Sequence, residues 1–213
     1  MPTTTKPRKS ARTSAYYKRK YKARYKSRHK AVSGKQILPA VIPDRKPVKL
    51  KYHGHITLTP NTALPVVHIF RSSLNDPDYS GVGHQPMGHD EWSVFYNRYR
   101  CYGFSYRIRA VNVSTSQGDS VDIVCVAKPN VTSITSNNQL YETTYSRVKT
   151  TNPAGSGNSV KYLTGYVSVA KTRGVSKKRV ALDDNFAATM GSNAAEEAFL
   201  HIYATPTDRD WET

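Results

Sequence analysis

No stretch of this sequence approaches the roughly 18 consecutive apolar residues that a membrane-spanning helix requires. Nor does an apolar segment stand behind the N-terminal charges, so the expectation is a protein neither inserted into a membrane nor conventionally secreted. Cysteine is scarce: Cys101 and Cys125 are the only two. Two are too few for a disulfide framework and lack metal-ligand spacing, so both are expected to be reduced packing residues. Without a secretory signal, the glycosylation-like triplets at Asn112 and Asn130 are expected to be chance matches. Acidic residues are nearly missing from the first quarter of the chain. Residues 1–51 hold 17 of the 32 Lys and Arg but one acid, Asp44, a net of +16. The remaining residues, 52–213, carry 15 basic and 14 acidic side chains, a net of +1.

A block of like charges without an apolar pattern cannot offset the entropy of ordering itself, so alone it reads as a solvated tail that needs a polyanion. Nucleic acid is the polyanion expected. Within the block, Tyr17-Lys-Arg-Lys, Tyr21-Lys-Ala-Arg, Tyr25-Lys-Ser-Arg and His29-Lys form a tetrapeptide repeat headed by an aromatic ring. In a helix those rings would make one stripe at i, i+4 spacing. Rings that stack on bases and cations that hold phosphates are the pairing used on single strands without sequence preference. The expected binding residues are therefore Lys6, Arg8, Lys9, Arg12, Tyr17, Lys18, Arg19, Lys20, Tyr21, Lys22, Arg24, Tyr25, Lys26, Arg28 and Lys30. The competing reading is a disordered basic tail that tolerates Tyr and serves as a nuclear localisation signal; both can hold together. Gly34, Pro39, Pro43 and Pro47 then mark a linker. This divides the chain into a basic arm and linker, residues 1–46, and one domain, residues 47–213.

In the second part the period changes to two. Val48, Leu50, Tyr52, Ile56 and Leu58 alternate with Lys49, Lys51, His53, His55 and Thr57, which predicts a strand with one buried face. Further strands are expected over residues 64–70, 102–110, 121–127, 141–149, 160–171 and 198–204, with a helical turn or two over 183–190. Gln117-Gly118-Asp119 supplies the turn before the fourth strand. Trp92, Phe95, Tyr96 and Tyr99 recur at helical spacing behind Asp90 and Glu91, which predicts a short helix whose aromatic stripe is core. Seven strands of this spacing, with a helix in one loop, predict an all-β fold: a single jelly-roll β-sandwich carrying a basic N-terminal arm.

Three segments together carry a resemblance. The basic, Tyr-interrupted arm, then His84-Gln-Pro-Met-Gly-His-Asp-Glu-Trp-Ser-Val-Phe-Tyr-Asn-Arg-Tyr-Arg-Cys-Tyr-Gly, then Lys161-Tyr-Leu-Thr-Gly-Tyr-Val-Ser-Val-Ala-Lys-Thr-Arg-Gly, resemble the capsid proteins of small circular single-stranded DNA viruses, the circovirus-like group that encodes its own replication initiator. The resemblance covers most of the chain in organisation but only the last two of these segments in wording. It implies a jelly roll that self-assembles as a homo-oligomer of about 60 copies in an icosahedral shell. The arm would line the interior, hold the single-stranded DNA genome and engage nuclear import receptors. The protein would then be found in the virion and, during assembly, in the host nucleus; the sequence does not identify a host-cell receptor. About 60 arms of +16 supply on the order of 1000 charges, the scale of a genome of one to a few thousand nucleotides. One departure from the family is that no eighth apolar run follows residue 204. Either a strand among residues 129–150 escapes the pattern, or the sequence stops early.

Catalytic and metal chemistry find little footing, and neither a cofactor nor an enzymatic activity is expected. His84 and His89 flank a Pro- and Gly-containing loop beside Asp90 and Glu91, a spacing that matches no helical ligand motif. His53 and His55 alternate on a polar face. Gly155-Ser-Gly157 lacks the Lys of a phosphate loop, and no Gly-x-Ser-x-Gly elbow occurs. The alternative to a shell protein is a cellular nucleic-acid-binding module whose β-sandwich body positions a basic tail.

Overall fold

A computed structural model describes residues 42–60, 64–115, 120–155 and 157–207. The chain divides into two units, Met1–Lys46 and Pro47–Thr213, and only residues 42–46 of the first are among those described. The turn expected at 117–119 lies outside the described residues.

The second unit is all-β in character, with antiparallel strands and a few short helices. In chain order the elements are β1 (Val66–Arg71), α1 (His89–Ser93), β2 (Arg98–Arg100), β3 (Gly103–Val111), β4 (Val121–Lys128), α2 (Asn137–Glu142) and β5 (Arg147–Thr151). Then follow β6 (Val160–Ser168), α3 (Val169–Thr172), α4 (Lys177–Leu182), a 3-10 turn (Asp184–Phe186), β7 (Ala187–Thr189) and β8 (Phe199–Pro206). The ladders are nested: β1 pairs with β8, β2 with β7, β3 with β6 and β4 with β5, all antiparallel. β8 also pairs with β4, closing a four-stranded sheet in the order β1-β8-β4-β5.

Apolar patterning explains which faces meet. Phe104, Tyr106 and Ile108 of β3 and Leu163 and Val167 of β6 share one cluster with Cys125 of β4 and Leu200 and Ile202 of β8. On its other side the four-stranded sheet is covered by Leu140 of α2 and by Ile134, packed with Val124, Val126 and Tyr203. β4 is therefore buried on both faces, as its apolar run predicts. Its one acid, Asp122, is accommodated because the Tyr141 hydroxyl donates to it at 2.7 Å and the Thr207 hydroxyl at 3.3 Å.

Four expectations are corrected. Residues 48–58 form no strand; Lys51 makes an isolated bridge to Met87. Ile56 and Leu58 still lie against the core, so the alternation reports a buried face and not a ladder. The outer edge of β1 is taken locally by the returning chain, with the Arg71 N–H donating to Pro77 O at 2.9 Å and the Tyr79 N–H to Ile69 O at 3.0 Å. Second, the aromatic stripe is not one helical face. α1 stops at Ser93 because residues 98–100 are drawn into the ladder with β7, which leaves Phe95 56% exposed and Tyr99 on a strand.

Third, residues 141–149 do not form one strand. α2 ends at Glu142 and β5 begins at Arg147. α2 buries only Leu140, so it has no apolar period to read. Fourth, β6 gives way after Ser168, whose hydroxyl accepts from the Lys171 N–H and starts α3. The expected helical turn over 183–190 is a 3-10 turn followed by the three-residue β7, and α4 begins ahead of it behind the Ser176 cap.

Candidate nucleic-acid interface

The expected binding residues, from Lys6 to Lys30, all lie outside the described residues. Charge in the second unit is divided along the chain, although in the fold Arg98 and Arg100 pair with Asp184, Arg173 with Glu196 and Arg179 with Asp183. The unit's near-zero net conceals a segregation: residues 92–118 and 143–182 carry 12 Lys and Arg and no Asp or Glu, whereas residues 183–213 carry seven acids and one Arg. The acid-free segments contain β2, β3, β5 and β6.

The β3–β6 register sets the surface. Ser105 stands opposite Tyr166, Arg107 opposite Thr164 and Arg109 opposite Tyr162. Side chains alternate across a strand, so these six share the face turned away from the core, and all six are exposed. Tyr162 is 51% exposed and Tyr166 62%. Two glycines shape the ladder. On the core side, Tyr106 lies across Gly165, and on the outer side the Tyr166 ring reaches diagonally over Gly103; a Cβ at either glycine would collide with the ring. Tyr166 thus lies down along the sheet. The Arg107 guanidinium sits over the Tyr162 ring, 5.3 Å from its centroid, a cation–π contact that places a positive charge on one face of the half-exposed ring. From β5, the Arg147 guanidinium donates to Thr164 O at 2.6 Å, tying a further cation to β6.

Elsewhere among the described residues, the titratable groups that burial shifts lie apart from this face. Burial pushes the thiol of Cys101 up to about 11 and that of Cys125 up to about 12, so both stay protonated at neutral pH; both are free. Burial also raises the carboxyl of Glu197, with Arg71 opposing it. His84 and His89 do not form a site together. His84 places Nδ1 2.7 Å from Gln85 O and Nε2 2.8 Å from His53 O, carbonyl contacts that raise its pKa. His89 is buried, with Nδ1 3.2 Å from Asp90 Oδ1. Among the described residues no group of three or more His, Cys, Asp or Glu is placed to hold a metal ion.

Comparison with known protein families, with characterised proteins and with solved structures finds no match to this chain.

The sequence reading missed Arg107, Arg109, Tyr162 and Tyr166 as a group. The signal was available in the two acid-free segments, but summing charge over the whole second part hid it. Only the register shows that residues some 55 positions apart, such as Arg107 and Tyr162, share one face.

Proposed function

We propose that this chain is a self-assembling shell protein that packages circular single-stranded DNA through its basic N-terminal segment, in the manner of the circovirus-like capsids its segments resemble. The observation that carries the reading is the nested pairing of first strand with last, second with seventh, third with sixth and fourth with fifth, behind a segment of net +14 over residues 1–46. Nested antiparallel pairs amount to one long hairpin, and the β8–β4 ladder is the contact that rolls such a hairpin into two layers. Nested antiparallel pairs in two layers are also how a jelly roll is built, a double-sheet fold that shell proteins use. The core shared between the β3–β6 pair and the four-stranded sheet supports the two-layer reading. The N-terminal cations supply the counter-charge for a genome. They also serve as a nuclear entry signal, which puts assembly in the host nucleus and the finished protein in the virion.

Nuclease protection tests the packaging step. Particles of the full-length chain, purified from cells carrying a circular single-stranded DNA, retain nuclease-resistant DNA. A chain lacking residues 1–35, and with them 13 cations and no acid, retains none. Equal protection by both chains would remove the N-terminal segment from the packaging role.

A further inference from the structure

Two cations of the second unit, Arg107 and Arg109, stand on a face that also bears exposed rings, the same side-chain chemistry that recurs in the Tyr-Lys-Arg repeat of residues 17–28. We propose that the outer face of the β3–β6 pair is a second binding surface for single-stranded nucleic acid, on which unpaired bases stack on Tyr162 and Tyr166 while Arg107 and Arg109 hold the phosphates.

Tyr162 and Tyr166 are four residues apart on one strand, so their attachment points are separated by about 13 Å, with Thr164 between them as a low, polar spacer. The Tyr166 ring lies over Gly103, where the missing side chain lets it settle against the sheet, and the residue is still 62% exposed, so a planar base can reach it. Tyr162 is flanked by both arginines, one directly opposite it and one with its guanidinium 5.3 Å from the ring centroid. Phosphates drawn to those cations bring their bases within reach of the ring. None of the six residues on the face is an acid, and the two segments that build it contain none.

A duplex could use the arginines but not the rings, because its bases are already stacked on one another. A second copy docking through the same face would set guanidinium against guanidinium. Single strands alone use every group present, by the stacking and charge pairing that non-specific single-strand binders share. The ligand class rests on the packaging reading above, whereas the location rests on the geometry of the β3–β6 face.

The test uses the full-length chain and oligothymidylate carrying 5-iododeoxyuridine, crosslinked by ultraviolet light and mapped by mass spectrometry. Trypsin releases residues 162–171 as one peptide containing both rings. The expected result is a crosslink in that peptide in addition to those within residues 1–46. In parallel, Tyr162→Leu with Tyr166→Leu lowers the affinity for the oligonucleotide by about fivefold or more per engaged ring, at a salt concentration that weakens purely ionic contacts. The matching pair of Tyr→Phe changes preserves affinity, and a duplex of the same sequence is bound equally by all three proteins. Should the double variant fail to fold, the crosslink map of the unaltered chain decides.

Crosslinks confined to residues 1–46, or a Leu variant that binds as the parent does, would overturn the face while leaving packaging intact. An equal loss for duplex would reduce the face to charge alone and overturn stacking. Crosslinks in 162–171 that vanish as the chain self-associates would give the face to a second copy. If no oligonucleotide binds the full-length chain at all, the packaging reading falls, and this surface with it.

Discussion

Tyr203→Phe removes one oxygen from the centre of a buried polar relay, and the geometry fixes what should follow. Tyr203 and His201 are both 0% exposed and lie on the same face of β8. The Ile134 N–H donates to the Tyr203 hydroxyl at 2.9 Å. That hydroxyl donates in turn to His201 Nδ1 at 3.2 Å, and His201 Nε2–H donates to Asn130 O at 3.0 Å. The network requires a neutral His201 with its proton on Nε2, and it pins residues 130–134 onto the sheet.

Without the hydroxyl, His201 Nδ1 is left buried and unpaired, and Ile134, which is half-buried, recovers part of its bond from water. An unsatisfied buried polar group costs about 1–3 kcal/mol. For a domain of 150–250 residues, 1 kcal/mol moves the melting temperature by about 2–4 °C, so a loss of about 2 kcal/mol should lower it by about 4–8 °C.

The pH dependence adds a sign. Burial holds the His201 pKa below its ordinary value, with Lys128 adding to the effect and the Asn130 carbonyl opposing it. Below about pH 6.5 the unfolded chain therefore binds a proton that the folded one resists. This contribution to stability is whole above that pH and is lost as pH falls toward the depressed folded value. Calorimetry of the unassembled chain at pH 7.5 and at steps down to pH 5.5 measures both effects, with His201→Gln showing the shallower acid slope. A Tyr203→Phe melting temperature within about 1 °C of the parent, or equal acid slopes for parent and His201→Gln, would refute the relay.

His84 should behave with the opposite sign. Its two ring nitrogens face carbonyl oxygens, so the imidazolium is the form that donates to both, and its pKa is raised. The tie between residue 53 and the loop at 84–85 holds below the ordinary histidine pKa and is lost as pH rises through the raised value. Hydrogen-exchange protection of residues 50–58, corrected for intrinsic rates, should fall across that window and lose its pH dependence in His84→Gln. At the α1 end, Phe95→Ser should leave the melting temperature of the unassembled chain within about 1 °C, because an exposed ring carries little stability. The same change should cut particle yield if the exposed Val94 and Phe95 meet a neighbouring subunit; light scattering reads the yield.

How far the fold was legible follows from what each kind of pattern reports. β4 was readable because both of its faces are buried and its apolar run has only one interruption, Asp122. β3 was readable because exposed Ser105, Arg107 and Arg109 alternate with half-buried Tyr106, Ile108 and Ala110. Residues 48–58 misled because period two records burial of one face and says nothing of hydrogen-bond partners. β2 and β7 were invisible because three residues carry no period, and their pairing overrode the helical spacing of Trp92, Phe95, Tyr96 and Tyr99. α2 and α4 each bury a single residue, Leu140 and Val180, too little for a helical stripe. The β3–β6 face needed register as well as composition, since its cations and its rings come from segments far apart in the chain.

Self-assembly is the claim on which the account turns, and imaging the purified full-length chain by negative stain, with its mass followed by light scattering, tests it most directly. About 60 domains of this size closing one surface give shells about 20 nm across. Uniform particles of that diameter, which fall apart to a folded unit when disassembled, are expected. A chain that stays monomeric or dimeric at every concentration, with or without single-stranded DNA, would contradict self-assembly and leave a nucleic-acid-binding module in its place.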